Sequence, residues 1–183
     1  MSSTVTPFSK VYDSFLSKIT EDMYMELTEL DTFRLLEELL LAAIQKFEFP
    51  RVNLTDYNIN ELEDVIEYQG VESNNQLVKA FIYSEGVFNN TLTLEEINII
   101  SIYMIVEWLG QQLASVENTR MKYSGSDFKF TSQANHMSKI LQMKKDYERE
   151  GFHMQRLYKR RKADKNGIMR STFGSIMEES AWS

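Results

Sequence analysis

The pattern of apolar and polar positions predicts a chain built mainly from α-helices, the most apolar of which spans residues 93–113. Thr93 precedes Glu96 by three residues, so that each side chain can accept the other's backbone amide proton in a capping box. Apolar residues cover nearly all sides of this stretch, which is typical of a buried helix. Polar residues interrupt it too often for a membrane span. We therefore expect a central helix on which the other helices pack.

Three further helices are predicted before Pro50. Thr6 and Pro7 are typical of a helix start, and an apolar face follows at helical spacing: Phe8, Val11, Tyr12, Phe15, Leu16 and Ile19. Thr20 is a candidate cap for a short second helix that carries Met23, Tyr24 and Leu27. Asp31 is a candidate cap for the third helix, over about residues 32–47, whose apolar face is Phe33, Leu36, Leu39, Leu40, Ala43, Ile44 and Phe47.

Residues 51–90 have a weaker pattern, which predicts a small sheet or hairpin. Residues 52–54 and 65–68 are candidate short strands, residues 77–83 contain β-branched and aromatic side chains, and residues 73–75 and 85–86 are candidate turns. Residues 114–123 are expected to continue the central helix as a second helical piece.

A long helix is predicted over about residues 133–162. Its apolar stripe is thin and interrupted: Met137, Ile140, Leu141, Tyr147, Met154, Leu157 and Tyr158. Gly151, in its middle, costs roughly 1 kcal/mol relative to alanine and predicts a weak point. A helix this polar is expected to pack along one side only, on the domain or on another copy of the chain.

The last twenty residues, 164–183, are small, polar and rich in turn-forming residues. They nevertheless keep spaced apolar residues: Ile168, Met169, Phe173, Ile176, Met177 and Trp182. Such spacing is typical of a segment that becomes ordered on a partner. The predicted organisation is an acidic helical domain over 1–123 with a small β insertion at about 51–90, a loop and long basic helix over 124–163, and an extended partner-binding tail over 164–183.

The net charge of −7 conceals two parts of opposite sign. Residues 1–119 hold 6 Lys/Arg and 20 Asp/Glu, whereas residues 120–183 hold 14 Lys/Arg and 7 Asp/Glu. A basic limb of this kind can bind the acidic body of another copy or a polyanion. The sequence thus favours an assembly over a lone monomer.

Candidate catalytic and metal-binding residues are few. The chain has no Cys and only two histidines, His136 and His153, which we expect to be exposed to solvent. The acidic series Asp56, Asn58, Asn60, Asp64 and Glu67 has the spacing of a calcium loop, but Glu61 stands where that loop needs glycine. We predict neither a cofactor nor an enzymatic activity, and the N-terminus lacks the features of a secretory signal.

The long helix owes its charge to a basic series: Lys144, Lys145, Arg149, Arg156, Lys159, Arg160, Arg161 and Lys162. Two interpretations stay open at this point. Tyr147 and Tyr158 lie among these cations, an arrangement that suits nucleic acid through phosphate contacts and stacking. Alternatively, the basic residues face the acidic half of a neighbouring subunit.

Three stretches of the sequence resemble the head-to-tail connector proteins of tailed bacteriophages, also called adaptor or neck proteins. The first runs from Phe88 through the motif TLTLEEI to Trp108 and Leu109, the second is YSGSDFKFTSQANH at 123–136, and the third is QRLYKRR at 155–161. The opening helices fit the same pattern less closely. The likeness extends over most of residues 8–162, and its motifs are helix-start and packing patterns.

The resemblance implies a mainly α-helical subunit that forms a ring, with about twelve copies expected, beneath the portal of the capsid. Phage DNA would pass through this ring. Expected partners are other copies of the chain, the portal protein and the next neck or tail-completion protein, with no membrane involved. The protein would be made in the bacterial cytoplasm and reside at the capsid–tail junction of the virion. Ile168, Phe173, Ile176, Met177 and Trp182 are the expected portal-binding residues of the tail. The alternative hypothesis is a DNA-binding regulator that uses the basic helix.

Overall fold

A computed structural model describes residues 5–19, 29–59, 86–122, 130–163 and 169–171. For residues 29–30, 116–122, 130–134, 162–163 and 169–171 it describes the backbone alone. The predicted short helix after Thr20 and the predicted strands at 65–68 and 77–83 lie outside these ranges. Within them the fold is mainly α-helical with a small three-stranded antiparallel sheet, as the hydrophobic pattern predicts.

The central helix is α3, Leu94–Lys122, which contacts each of the other three helices. Its capping box is confirmed: the Thr93 amide donates to Glu96 Oε2 at 2.8 Å, and the Glu96 amide donates to Thr93 Oγ1 at 3.3 Å. Residues 99–106 are all buried. The helix is continuous to Lys122, so residues 114–122 extend it without a break. Leu94, expected on a packed side, is instead 85% exposed.

The chain start departs from its prediction. Thr6 and Pro7 form a strand, β1 (Thr6–Pro7), and the first helix is α1, Ser9–Leu16. The Thr6 hydroxyl accepts the Leu92 amide proton at 2.8 Å rather than capping α1. The sheet has the order β1-β3-β2, with β2 at Tyr57–Asn58 and β3 at Val87–Phe88. In β3, Phe88 is paired with Thr6 on one side and Tyr57 on the other.

The small sheet therefore exists, but its strands are not those predicted. Residues 52–54 contain no strand, and the chain start supplies one edge of the sheet.

The second helix of the described chain, α2, spans Glu29–Gln45. It begins before Asp31, so Asp31 is not its cap. Its predicted apolar face is buried on α3 through Leu36, Leu39, Leu40, Ala43 and Ile44.

The long basic helix is α4, Phe130–Arg160, which packs along one side of α3 as expected. It ends before the predicted Lys162. Arg161 instead begins β4, Arg161–Ala163, which pairs antiparallel with β5, Met169–Ser171. Met169, expected in an extended tail, thus belongs to a two-stranded antiparallel sheet. No helix in the described part of the chain is long and apolar enough to cross a membrane.

Candidate partner-binding surface

The inner face of α4 holds Gly151 against the ring of Tyr103 in α3. A β-carbon at Gly151 would lie 2.9 Å from Tyr103 Cζ and 3.2 Å from both Cε1 and Oη. These distances are shorter than ordinary van der Waals contact. Gly151 is buried, and its lack of a side chain allows α4 to approach α3 closely. The residue predicted to be a weak point is therefore a packing requirement.

Gln155 connects α4 through hydrogen bonds to α3 and to the segment that follows α2. Its Nε2 donates to Tyr103 Oη at 2.6 Å and to the Lys46 carbonyl at 2.9 Å, and its Oε1 accepts the Glu48 amide proton at 2.8 Å. The side chain is 2% exposed, so these bonds replace those that water would make. Burial raises the pKa of Tyr103. The network fixes α4 relative to both α3 and the end of α2.

Glu96 connects the start of α3 to the last turns of α4. Besides the capping bonds, its carboxylate accepts a hydrogen bond from the Tyr158 hydroxyl, and both residues are buried. Burial, and then the hydrogen bond and charge of Glu96, raise the pKa of Tyr158 far above its usual value. Tyr158 is thus a structural residue and is not available to stack on a nucleic-acid base.

Arg51 also contacts the C-terminal end of α4. Its guanidinium donates to the Tyr158 carbonyl at 2.7 Å and to the Arg161 carbonyl, and its Cζ lies 4.0 Å from the centroid of the Tyr158 ring. Arg161 in turn forms a salt bridge with Glu95 at 2.9 Å. Arg161, one of the predicted site residues, therefore makes an intramolecular contact.

The outer face of α4 carries large apolar side chains among its charges. Leu141 is 40% exposed and Phe152 is 50% exposed. With Lys145, Arg156 and Lys159 they recur at spacings of three, four and seven residues, which place them on one side of the helix. Met143 is also exposed, at 47%. The helix therefore has a mixed apolar and basic stripe on the side that does not contact α3.

At the C-terminal end of this stripe lies an open cleft, which we call the C-terminal cleft. Its lining is Glu48, Phe49, Phe152, Arg156, Lys159 and Arg160. Lys159 Nζ lies 3.8 Å from the centroid of the Phe49 ring, and Arg156 Cζ lies 5.8 Å from that of Phe152. Among the described residues, none of the three cations forms a salt bridge.

The remaining predicted basic residues are dispersed. Lys144 is half-buried, with its side chain over Gly110 of α3, whereas Lys145 is exposed. Arg149 is exposed and pairs with Asp146 at 3.2 Å. The side chain of Lys162 lies outside the described part of the chain, as do all five tail residues, Ile168, Phe173, Ile176, Met177 and Trp182. The structure thus brings Arg156, Lys159 and Arg160 together and separates them from the others.

Phe49 and Phe152 were not predicted as site residues. A signal for Phe152 was present, since it precedes Arg156 by four residues and follows Leu141 by eleven, which places it on the same side of the helix as both and away from the buried Ile140 and Tyr158. Phe49 comes from the segment after α2, and only the folded chain places it beside Lys159. Tyr147, the other predicted stacking residue, is half-buried beside Ile140 in a separate groove.

That groove, of about 210 Å³, lies between α1, α3 and α4 and contains Lys18, His136 and Lys139 among apolar side chains that include Trp108. Lys18 Nζ donates to the Ser14 carbonyl, Ser14 Oγ and Ser101 Oγ at 2.8 to 3.0 Å. Burial lowers the pKa of Lys18. His136 and His153 are both exposed, in agreement with expectation.

The candidate calcium residues are only partly within the described chain. Asp56 Oδ1 accepts a hydrogen bond from Asn89 Nδ2 at 2.7 Å, and Asn58 Nδ2 donates to Asn89 Oδ1 at 2.9 Å. These side chains are thus joined to the β3 end of the sheet. Asn60, Asp64 and Glu67 lie outside the description. The described residues contain no group of three or more side chains placed to hold a metal ion.

Comparison of the chain with protein-family models, curated proteins and solved structures found no match.

Proposed function

We propose that this protein is a structural subunit of a tailed-phage virion, forming a ring that joins the capsid portal to the tail and surrounds the DNA passage. The observation that supports this most strongly is the outer face of α4, where Leu141 and Phe152 are exposed on a helix fixed to the domain by its other side. Exposed aromatic and aliphatic residues beside arginine are typical of protein interfaces. The proposed role requires no catalysis and no cofactor.

The rigidity of α4 also supports an assembly role. The Gln155 and Glu96 networks fix the C-terminal half of the helix from three sides. A surface held in one geometry loses little side-chain and backbone freedom on association, which favours binding. The opposite net charges of residues 1–119 and 120–183 provide complementary surfaces on identical copies.

Within such a ring we assign the basic face of α4 to subunit contacts rather than to the DNA channel. Each phosphate contact by Lys or Arg adds to DNA affinity, and a channel through which DNA must slide is poorly served by strong attraction. The tail residues Ile168, Phe173, Ile176, Met177 and Trp182 are proposed to contact the portal protein. The distal side of the ring would bind the next neck or tail-completion protein.

The second candidate is a DNA-binding regulator, and the clustering of Arg156, Lys159 and Arg160 in one exposed cleft favours it. A regulator of this type would bind free DNA with an affinity that falls steeply as salt rises. It would need no capsid. The two proposals therefore differ in their partner and in the effect of salt.

The test is sedimentation of the purified protein with DNA-filled, tailless capsids. We expect it to co-sediment with these capsids at about twelve copies each, and not with complete tailed particles, in which the vertex is already occupied. Binding to free duplex DNA is measured in parallel at low and at physiological salt. Strong, salt-sensitive DNA binding without capsid binding would reject the connector in favour of the regulator.

A further inference from the structure

The C-terminal cleft has the composition of a surface that binds an acidic and partly apolar partner. Arg156, Lys159 and Arg160 are exposed and form no salt bridge within the described residues. Phe152 and Phe49 are 50% and 36% exposed beside them. Arginine and aromatic side chains together are the residues most often found at the energetic centre of an interface.

A complementary acidic surface lies on the side of α2 turned away from the buried Leu36 and Leu40. Glu38 is exposed and Glu37 is half-buried on that side. Among the described residues neither glutamate forms a salt bridge, including with Arg34 one turn earlier. Leu41, beside them, packs partly against the hydrophobic core, so a partner there would contact the two carboxylates and the exposed part of that side chain.

The pKa of Glu37 indicates that a nearby cation would stabilise its ionised form. Burial, and next the charge of Glu38, raise its pKa. An acid in that position is destabilised when ionised, and an incoming guanidinium or ammonium group would offset this cost. The described cations in or next to α2 are Arg34, Lys46 and Arg51. Of these, Lys46 pairs with Glu107, Arg51 donates to the carbonyls of Tyr158 and Arg161, and Arg34 forms no salt bridge with the described residues.

We propose that the C-terminal cleft of one copy binds the Glu37, Glu38 and Leu41 side of α2 in a second copy. The inference rests on the proposed connector function and names the two surfaces that would meet in the ring. Glu38 lies seven residues before the end of α2, about 10 Å along the helix axis, and the cleft begins only beyond that end at Glu48. Two different surfaces thus meet, which makes the contact head-to-tail, the type that closes into rings.

A nucleic acid fits the cleft less well. The Lys159 ammonium covers a face of the Phe49 ring at 3.8 Å, so that face is not open to a base. Stacking on free aromatic faces is the main sequence-independent contribution to single-strand binding. The covered ring therefore favours a protein partner.

Because the chain has no cysteine, single introduced cysteines report contacts between copies without background. A Glu38→Cys copy is mixed with a Lys159→Cys copy on DNA-filled tailless capsids and treated with a short bismaleimide cross-linker. We expect a covalent dimer. The matched control pairs Glu38→Cys with Lys145→Cys, an exposed position about 21 Å along α4 from Lys159, and should give none.

A charge exchange provides the second test. Arg156→Glu with Lys159→Glu should reduce capsid-bound protein at least tenfold, with only a small fall in the unfolding midpoint, since both positions are exposed and the loss within the chain is the contact of Lys159 with the Phe49 ring. Adding Glu37→Lys and Glu38→Lys to the same chain should restore binding. In a head-to-tail ring of this variant, the acidic cleft of each copy again meets a basic α2 surface on the next copy. A nucleic-acid partner predicts no such rescue.

The results of these experiments distinguish failure of the proposed contact between copies from failure of the connector function. Capsid binding without the Glu38–Lys159 cross-link, or without rescue by the exchanged charges, would overturn the inference and leave the connector in place. Absence of capsid binding by the unmodified protein would overturn the connector and the inference with it.

Discussion

Replacing Gly151 by alanine inserts a methyl group between α4 and α3, and the structure allows its effect to be estimated. Alanine is favoured over glycine in a helix interior by about 1 kcal/mol, which alone would stabilise the protein. Against this, the new β-carbon would lie 2.9 Å from Tyr103 Cζ. Overpacking of this kind costs about 1–3 kcal/mol.

Tyr103 has little freedom to move away. Its hydroxyl accepts the Gln155 hydrogen bond at 2.6 Å, and its ring is 6% exposed between the two helices. Displacing the ring would break the bond that also positions Gln155 against the end of α2. We therefore expect the clash to outweigh the helix preference, with a net loss of about 1 kcal/mol of unfolding free energy for Gly151→Ala.

Gly110→Ala is the matched control, since it makes the same change in the neighbouring helix. There a β-carbon would meet only Lys144 Nζ at 3.5 Å and Cε at 3.8 Å, both ordinary contacts with a flexible side chain. This variant should gain up to about 1 kcal/mol. Urea unfolding followed by circular dichroism measures both variants. If Gly151→Ala stabilises the protein as much as Gly110→Ala does, the close approach of α4 to α3 is not a packing requirement.

Three further predictions concern buried groups and the tail. Tyr158→Phe removes a donor from the buried Glu96 carboxylate and should cost about 1.5–3 kcal/mol in urea unfolding at pH 7. Because folding raises the pKa of Tyr158, the stabilisation that this residue gives the folded state is complete below about pH 10 and is lost as the pH rises further. The variant should therefore lose less stability at alkaline pH than the unmodified protein. Glu37→Gln should be more stable than the unmodified chain at pH 7 and equal to it near pH 3, because a raised carboxyl pKa makes ionisation unfavourable for folding; the same variant should bind capsids more weakly. Removing residues 172–183 should leave the unfolding midpoint unchanged in calorimetry and reduce co-sedimentation with capsids, whereas a lowered midpoint would contradict a partner-binding role for the tail.

Local patterns in the sequence predicted that α1, α2, α3 and α4 exist, although not where each of them begins and ends. The capping box of Thr93 and Glu96 and the apolar spacing of α2 depend on residues within one or two turns of each other, and the structure confirms both. Such signals require no knowledge of the rest of the chain.

Features that depend on distant residues were not predicted. Thr6 and Pro7 match a helix start, but pairing with Phe88 and Val87 places them in a sheet. Gly151 is unfavourable in an isolated helix, and only the position of Tyr103 explains its presence. In both cases tertiary contacts outweigh the local preference.

The candidate surface was predicted in part. The charge of the long helix identifies Arg156, Lys159 and Arg160, because clustered cations are visible in a sequence. The same reasoning assigned a stacking role to Tyr158, which is fully buried. Phe49 could not be found from sequence, since it reaches the cleft through the packing of the end of α2 beside α4.

The most direct test of the connector function is electron cryomicroscopy of DNA-filled, tailless capsids after addition of the purified protein. We expect a new ring of density at the portal vertex alone, into which α3 and α4 can be fitted with the C-terminal cleft of each copy against α2 of the next. An unchanged portal vertex at saturating protein would contradict it.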